Sequence, residues 1–302
     1  MKKLVNRLLK LTEQLCSVLK NSIPDYSCRK SKHTYKQYQL AVIWCLMKYM
    51  KTNYRDIIEL LELMPEIREI ISLNQLPHFT TINKFFLRIR TSMLYNTLIQ
   101  TVYLFTERAD VIAIDSTGYS SNYASRYYVQ RMHGEQERRS YIKASLSVDT
   151  NTQCILSVKP RPGPRNDNID FGFLVKESSR LVRIAWIVAD KGYDSERNHR
   201  LVWELGGRCM IPVRRREGGK TYGSFRKKSM RRFDKRIYHR RSVVESVNSV
   251  MKRLMGSWVG SRSAENQCKE VIGMCIVYNV YRSVRAGLVW IWMFSTRPFT
   301  LI

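Results

Sequence analysis

Acidic residues are scarce in this chain. Its 302 residues include 25 Asp and Glu against 52 Lys and Arg, a formal charge of +27. The excess is spread along most of the chain, so the field attracts polyanions and binding should weaken with salt. Nucleic acid is the expected partner, although a ribosome-associated or merely basic protein would share the composition. The seven cysteines are odd in number, scattered, and never spaced as C-x-x-C. That pattern excludes a zinc cluster and a disulfide framework, and implies reduced thiols in a cytosolic protein. The five histidines show no ligand spacing. Long hydrophobic runs are missing as well. The longest, Gly287 to Phe294, is well short of the roughly 20 residues that cross a bilayer. The N-terminus has neither an apolar core nor a small-residue cleavage site, so no signal peptide is expected. No long basic amphipathic helix favours a membrane surface. There is no Walker loop, no G-x-S-x-G, no internal repeat and no low-complexity tract.

What is present divides the chain by texture. Residues 1–108 read as helical, with apolar side chains three and four apart in Leu4, Leu8, Leu11 and Leu15 and again in Ile57, Leu60, Leu61 and Leu63. His78-Phe79-Thr80-Thr81 reads as a capped helix start. Short helices rich in Lys, Arg and Tyr suit a helix-turn-helix-like DNA-binding domain; a helical subdomain that only packs on the rest would read the same way. From residue 109 the pattern changes. Val111 to Ile114 is a candidate buried strand. Tyr141–Val148 and Cys154–Val158 are strands joined by a hairpin near Asp149, and Ile184–Ala189 and Arg208–Val213 are further buried strands. Helices are expected at 169–182 and from Asp194 to Leu205, with Asp194 as a candidate N-cap. Strands alternating with helices imply an α/β fold with a mixed sheet over 109–286. Residues 287–302 are an apolar tail, expected to pack on the body as a strand or helix.

Residues 214–237 form a basic, Gly-containing loop. Its Arg and Lys suit phosphates, and Tyr222, Phe225 and Phe233 could stack on unpaired bases; a solvated flexible loop is the plainer reading. Directly after it come Tyr238, Arg241, Glu245 and Lys252. At helical pitch these four, with Asn248, fall within an arc of roughly 80°. Val243, Val247, Val250 and Leu254 would project from the other side. One acid among bases suits a metal site beside phosphates, and it equally suits a surface helix with an Arg241–Glu245 pair at i, i+4.

Asp115 ends the apolar run Val-Ile-Ala-Ile, and Asp190 ends Ile-Val-Ala. At the carboxyl ends of neighbouring strands their side chains would converge on one crevice, and a helix packed across that edge could add Glu245. Each Asp could instead merely open a turn. Three converging carboxylates repel one another unless cations sit between them, and their hard oxygens suit Mg2+ or Mn2+. Two such ions could drive in-line phosphodiester displacement.

With these blocks in place, the chain resembles the DDE transposases of bacterial and archaeal insertion sequences, in the class named for a Tyr-Arg-Glu-Lys helix. Asp115-Ser-Thr-Gly118 is similar to the block around the first Asp, and Asp190-Lys-Gly-Tyr-Asp194 to the block around the second. Tyr238, Arg241, Glu245 and Lys252 match the third with its full spacing. The acids are 75 and 55 residues apart. Leu76–Thr81 resembles the family's N-terminal helical domain. The resemblance implies an RNase H-like catalytic core, with Asp115, Asp190 and Glu245 as divalent-metal ligands. It implies DNA contacts for Tyr238, Arg241 and Lys252; Asn248 joins them only by its place on the same face. It further implies binding to the element's terminal inverted repeats, cleavage at its ends, and transfer of the 3′ ends to target DNA. A homodimer acting in the cytoplasm at the nucleoid, on double-stranded DNA and without a membrane, completes the expectation. A non-catalytic DNA-binding protein and a structure-directed nuclease are the rival readings; the nuclease would lack the Tyr-Arg-Glu-Lys helix.

Overall fold

A computed structural model describes residues 2–105, 108–121, 141–214 and 221–288. Among these residues, six helices precede the first strand: α1 (Lys2–Ser22), α2 (Gln37–Met50), α3 (Asp56–Glu62), α4 (Pro65–Ile71), α5 (Phe79–Arg88) and α6 (Thr91–Val102). The apolar stripe of α1 is buried from Leu11 onward, through Leu15, Val18 and Leu19, whereas Leu4 is exposed. Pro65 occupies the first turn of α4, where its missing N–H leaves no bond unmade. The start of α5 lies where the sequence places it, but its cap is an imidazole: His78 Nδ1 accepts from Thr80 N at 3.4 Å.

The sheet contains β1 (Arg108–Ser121), β2 (Tyr141–Asp149), β3 (Ile155–Pro162), β4 (Arg183–Ala189), β5 (Arg208–Met210) and β6 (Trp258–Val259). The order is β3-β2-β1-β4-β5, with β6 joined to the end of β1. β1, β2 and β3 are antiparallel, while β4 and β6 run parallel to β1, and β5 parallel to β4. The β2–β3 turn is closed by the Asp149 carboxylate, which accepts from Asn151 N, Thr152 N and Thr152 Oγ1 at 3.2, 3.1 and 2.6 Å. The remaining helices are α7 (Asn168–Leu181), α8 (Glu196–Glu204), α9 (Ser224–Arg231), α10 (Lys235–His239), α11 (Ser242–Met255) and α12 (Ala264–Arg285).

Strand periodicity sorts the side chains into two cores. Val111, Ala113 and Tyr119 of β1 enter one, shared with α11, α12 and the N-terminal helices. Ile112 and Ile114 enter the other, with Phe171, Leu174 and Val175 of α7 and Val202 of α8. The result is the expected α/β architecture, a mixed sheet between helical layers with a helical region before it. Asn279 of α12 joins three elements. Its Oδ1 accepts from Ile155 N, and its Nδ2 donates to Ile155 O and to Thr101 Oγ1 of α6, each at 2.9 Å. Gly273 lets α12 approach α2, since a Cβ there would stand 2.4 Å from Trp44 Cζ3.

Several expectations are corrected. β1 does not stop near Asp115 but runs to Ser121, because pairing with β2 continues through Ser120↔Tyr141. β5 is only three residues long. Ser195, not Asp194, caps α8: its hydroxyl accepts from Asn198 N at 3.2 Å. The basic segment is not a plain loop, since its second half forms α9 and α10. Phe233 packs against Tyr238 with ring centroids 5.3 Å apart and is partly buried, so it is no free stacking ring. Residues 215–220 of that segment, and the apolar tail from 289 onward, lie outside the described residues. Of the seven cysteines, all free, Cys28 is exposed and Cys268 partly buried; the other five are buried.

Candidate active site at the sheet edge

Register brings the first two acids together. β1 and β4 run parallel with Ile114 opposite Ala189, so Asp115 and Asp190 are the next residues on neighbouring strands. Alternation then sets their direction. Asp115 shares the parity of Val111 and Ala113, which enter the core shared with α11, and Asp190 stands one residue past β4, two after Val188 of the same core. Glu245 lies in the first turn of α11. That helix runs along β1: further on, Lys252 Nζ lies 5.6 Å from the Tyr119 ring centroid, and Met251 Sδ stands 4.0 Å from the Tyr119 hydroxyl.

Asp115 senses the other two carboxylates. Burial chiefly holds the Asp115 carboxyl above its ordinary value, with Glu245 and Asp190 adding to the effect; the Ser116 backbone N–H and the Arg241 guanidinium oppose it. Asp190 and Glu245 are exposed. Each is engaged by protein. Asp190 accepts from Gly192 N and caps the 3₁₀ turn Lys191–Tyr193. A Cβ on Gly192 would stand 2.9 Å from Asp190 Oδ1, so glycine keeps that carboxylate uncrowded. Arg241 Nη2 lies 2.6 Å from Glu245 Oε1, so the surface ion pair allowed by the spacing is formed. Among the described residues no three His, Cys, Asp or Glu side chains form a ready-made metal cage. The donor set still fits Mg2+ or Mn2+: hard oxygens on two adjacent strands and one helix, with a repulsion on Asp115 that a cation would relieve.

The charged helix is not one helix. Tyr238 belongs to α10, and α11 starts only at Ser242. Between them the backbone tightens into i+3 bonds, Arg241 N to Tyr238 O at 2.9 Å and Val244 N to Arg241 O at 3.1 Å. The buried stripe of α11 also differs from the one the spacing predicts. Val244, Val247, Met251 and Met255 enter the core, while Val243, Val250 and Leu254 are only partly buried. Asn248, four residues after Val244 and three before Met251, sits on the buried side at 6% exposure, not on the exposed stripe, and its Oδ1 has no hydrogen-bond partner. Tyr238, Arg241 and Lys252 are partly exposed. Burial lowers the Lys252 ammonium below its usual range.

Sequence reasoning missed the layer behind Asp115. Ser116 has the opposite parity, and its Oγ donates to Asp167 Oδ1 at 2.7 Å, just before α7. Lys143 also pairs with Asp167. Tyr193 is buried beneath the acids. Burial chiefly raises its phenol, and Asp167, Asp115 and Asp190 add to that while Ser116 opposes it. The Gly-Tyr after Asp190 was a usable signal for Tyr193; Asp167, in an Asn-Asp-Asn turn, offered none.

With this geometry in view, the comparison with known sequences is direct. Residues 106–280, more than half of the chain, match the family described as Transposase DDE domain, and the chain belongs to that family. Among solved structures it is similar to a piggyBac transposase in a synaptic complex with hairpin DNA. The identity is 13% and the TM-score 0.46, over 94% of this chain and 72% of that one.

Proposed function

We propose that this transposase acts on the ends of its own insertion sequence, in the Tyr-Arg-Glu-Lys class. It binds the terminal inverted repeats, cleaves there, and joins the freed 3′ ends to target DNA. Asp115, Asp190 and Glu245 serve as the ligands of two Mg2+ or Mn2+ ions. Such ions, when bound, supply activation of the attacking oxygen and stabilisation of the leaving one. Arg241 exchanges its bond to Glu245 for a phosphate, and Lys252 provides a second cation a little under two turns beyond Glu245 on α11. Tyr238, at the junction before α11, contacts the backbone near the cut. Asn248, only 6% exposed, supports α11 from the core side of that DNA-contacting face. In this reading residues 1–108 are the DNA-binding domain, 109–286 the catalytic domain and 287–302 an apolar tail. Two copies pair the two ends, and the protein works in the cytoplasm at the nucleoid. No helix among the described residues is long and apolar enough to cross a membrane.

The observation that carries this reading is the convergence of Asp115 and Asp190, one step past paired Ile114 and Ala189, with Glu245 acting on Asp115. Glu245→Ala is the test. On a DNA fragment carrying the flanking repeats, end cleavage in Mg2+ should fall at least about 100-fold, or about 2.7 kcal/mol of barrier. Repeat binding, by gel shift, should be largely kept. Cleavage at the wild-type rate would remove Glu245 from the chemistry and the proposal with it.

A further inference from the structure

The face of the sheet opposite α11 carries a cleft of about 750 Å³ between α7 and α8. Its rims bear Lys176 on α7 and Arg197 and Arg200 on α8, all exposed. Its one acid, Glu204, makes a loose 3.6 Å pair with Arg200, both side chains more than half exposed. Its floor includes Asn168 and Asn198. The cleft is tied at two points to the catalytic edge. Asn198 Nδ2 donates to Asn168 Oδ1 and, at 2.9 Å, to Tyr193 O, three residues past Asp190. Asp167, one residue before α7, accepts from the hydroxyl of Ser116, the neighbour of Asp115.

Joining needs two DNAs at one set of carboxylates. The Arg241–Lys252 stripe lies on one face of the sheet. The α7–α8 cleft lies on the other, and both reach the same strand ends. Resting on the function proposed above, we infer that the cleft holds the sugar-phosphate backbone of the target duplex, while the α11 stripe holds the element end. Charge favours this occupant: three cations against one weakly paired acid, on a chain of formal charge +27. The Asn168 amide and the Ser195 hydroxyl in the lining suit phosphate and sugar oxygens.

The test uses the full chain with Lys176→Ala, Arg197→Ala and Arg200→Ala combined. These side chains are exposed, so the melting temperature should be unchanged, and this is checked first. Random-sequence duplex binding is followed by fluorescence anisotropy against salt. The slope of log affinity should become shallower by about 2 to 3, since three phosphate contacts contribute roughly 0.9 each. Joining of a pre-cut element end to plasmid should fall at least about tenfold, while cutting of an uncut end stays within about twofold. An unchanged slope with unchanged joining overturns the assignment. So does cutting that falls in step with joining, which would give the cleft to the element end. If Glu245→Ala cuts normally, the catalytic reading fails by itself; the salt slope still judges the cleft.

Discussion

Replacing Asp194 with asparagine should release α9 from the body without unfolding the sheet. The Asp194 side chain is fully buried and is surrounded by donors: Arg226 Nε at 2.9 Å and Nη2 at 2.5 Å, His199 Nε2 at 3.0 Å and Arg214 N at 2.7 Å. Burial alone would raise its carboxyl, but the bonds from His199, Arg226 and Arg214 outweigh that and hold it well below the usual carboxylate range. α9 has eight residues, none buried, and is too short to persist alone. Its other attachments include Glu196, which accepts from Phe225 N at 2.9 Å and Arg226 N at 3.1 Å, Ser229, 2.8 Å from His199 Nδ1, and the Trp203 ring, which meets Phe225 and Lys228. Removing one member of a buried pair costs about 3–5 kcal/mol, because the other charge is left uncompensated. Arg226 can escape by swinging outward with α9, so the cost appears as local opening. Amides of 227–231 should then lose at least roughly 100-fold in hydrogen-exchange protection, while those of β1 and β4 change little. The pH dependence follows from the depressed carboxyl. Its contribution is complete above the ordinary value of 3.8 and is lost as pH falls through the lower folded value, so wild-type α9 stays docked at about pH 5 and loosens only in stronger acid. If α9 of the variant exchanges within about threefold of wild type, the buried pair is not what holds it, and the reasoning fails.

Two further outcomes concern the acids. Arg241→Gln should bind Mn2+ about two- to fivefold more tightly by calorimetry without DNA. The ion must compete with a partly exposed pair of about 0.5–1 kcal/mol for Glu245, and unchanged or weaker binding would show that Arg241 does not compete. Asp115→Asn should raise the melting temperature of the chelator-treated protein at neutral pH. A raised carboxyl contributes stability below its unfolded value and loses it as pH rises, so the gain should shrink towards the ordinary value of 3.8. A melting temperature that falls at neutral pH would contradict this.

The sheet was legible because each buried strand is a short apolar run bounded by turn residues: Val111–Ile114, Ile184–Ala189 and the Asp149 hairpin all lie in strands or at the predicted turn. Their pairing placed Asp115 beside Asp190 without help from side-chain detail. Helix faces were harder. The arc containing Tyr238, Arg241, Glu245, Asn248 and Lys252 assumes uninterrupted pitch, and two tight i+3 bonds at Arg240 and Arg241 break it. Asn248 lies four residues after Val244 and three before Met251, so within the unbroken α11 it falls at the edge of the buried stripe, while Glu245 and Lys252, seven residues apart, share the outer side. The basic segment hid its helices because α9 is shaped by long-range acids. Asp194 and Glu196 lie some thirty residues away from their partners in it, and no local periodicity carries that information.

One residue step in β1 decides which side of the site each group serves. Asp115 shares parity with Val111, Ala113 and Tyr119, so it belongs with α11, where Glu245 and Lys252 lie. Ser116 has the parity of Ile112 and Ile114, so its hydroxyl reaches Asp167 at the head of α7. The Asp115-Ser116 pair therefore joins the carboxylate face to the cleft face through a single peptide. Asp190 and Tyr193 make the same connection from β4, Asp190 beside Asp115 and Tyr193 holding Asn198 through its carbonyl. A bulge before Asp115 would exchange the two faces and separate the acids from α11. Pairing of Ile114 with both Ser147 and Ala189 fixes the register against that exchange.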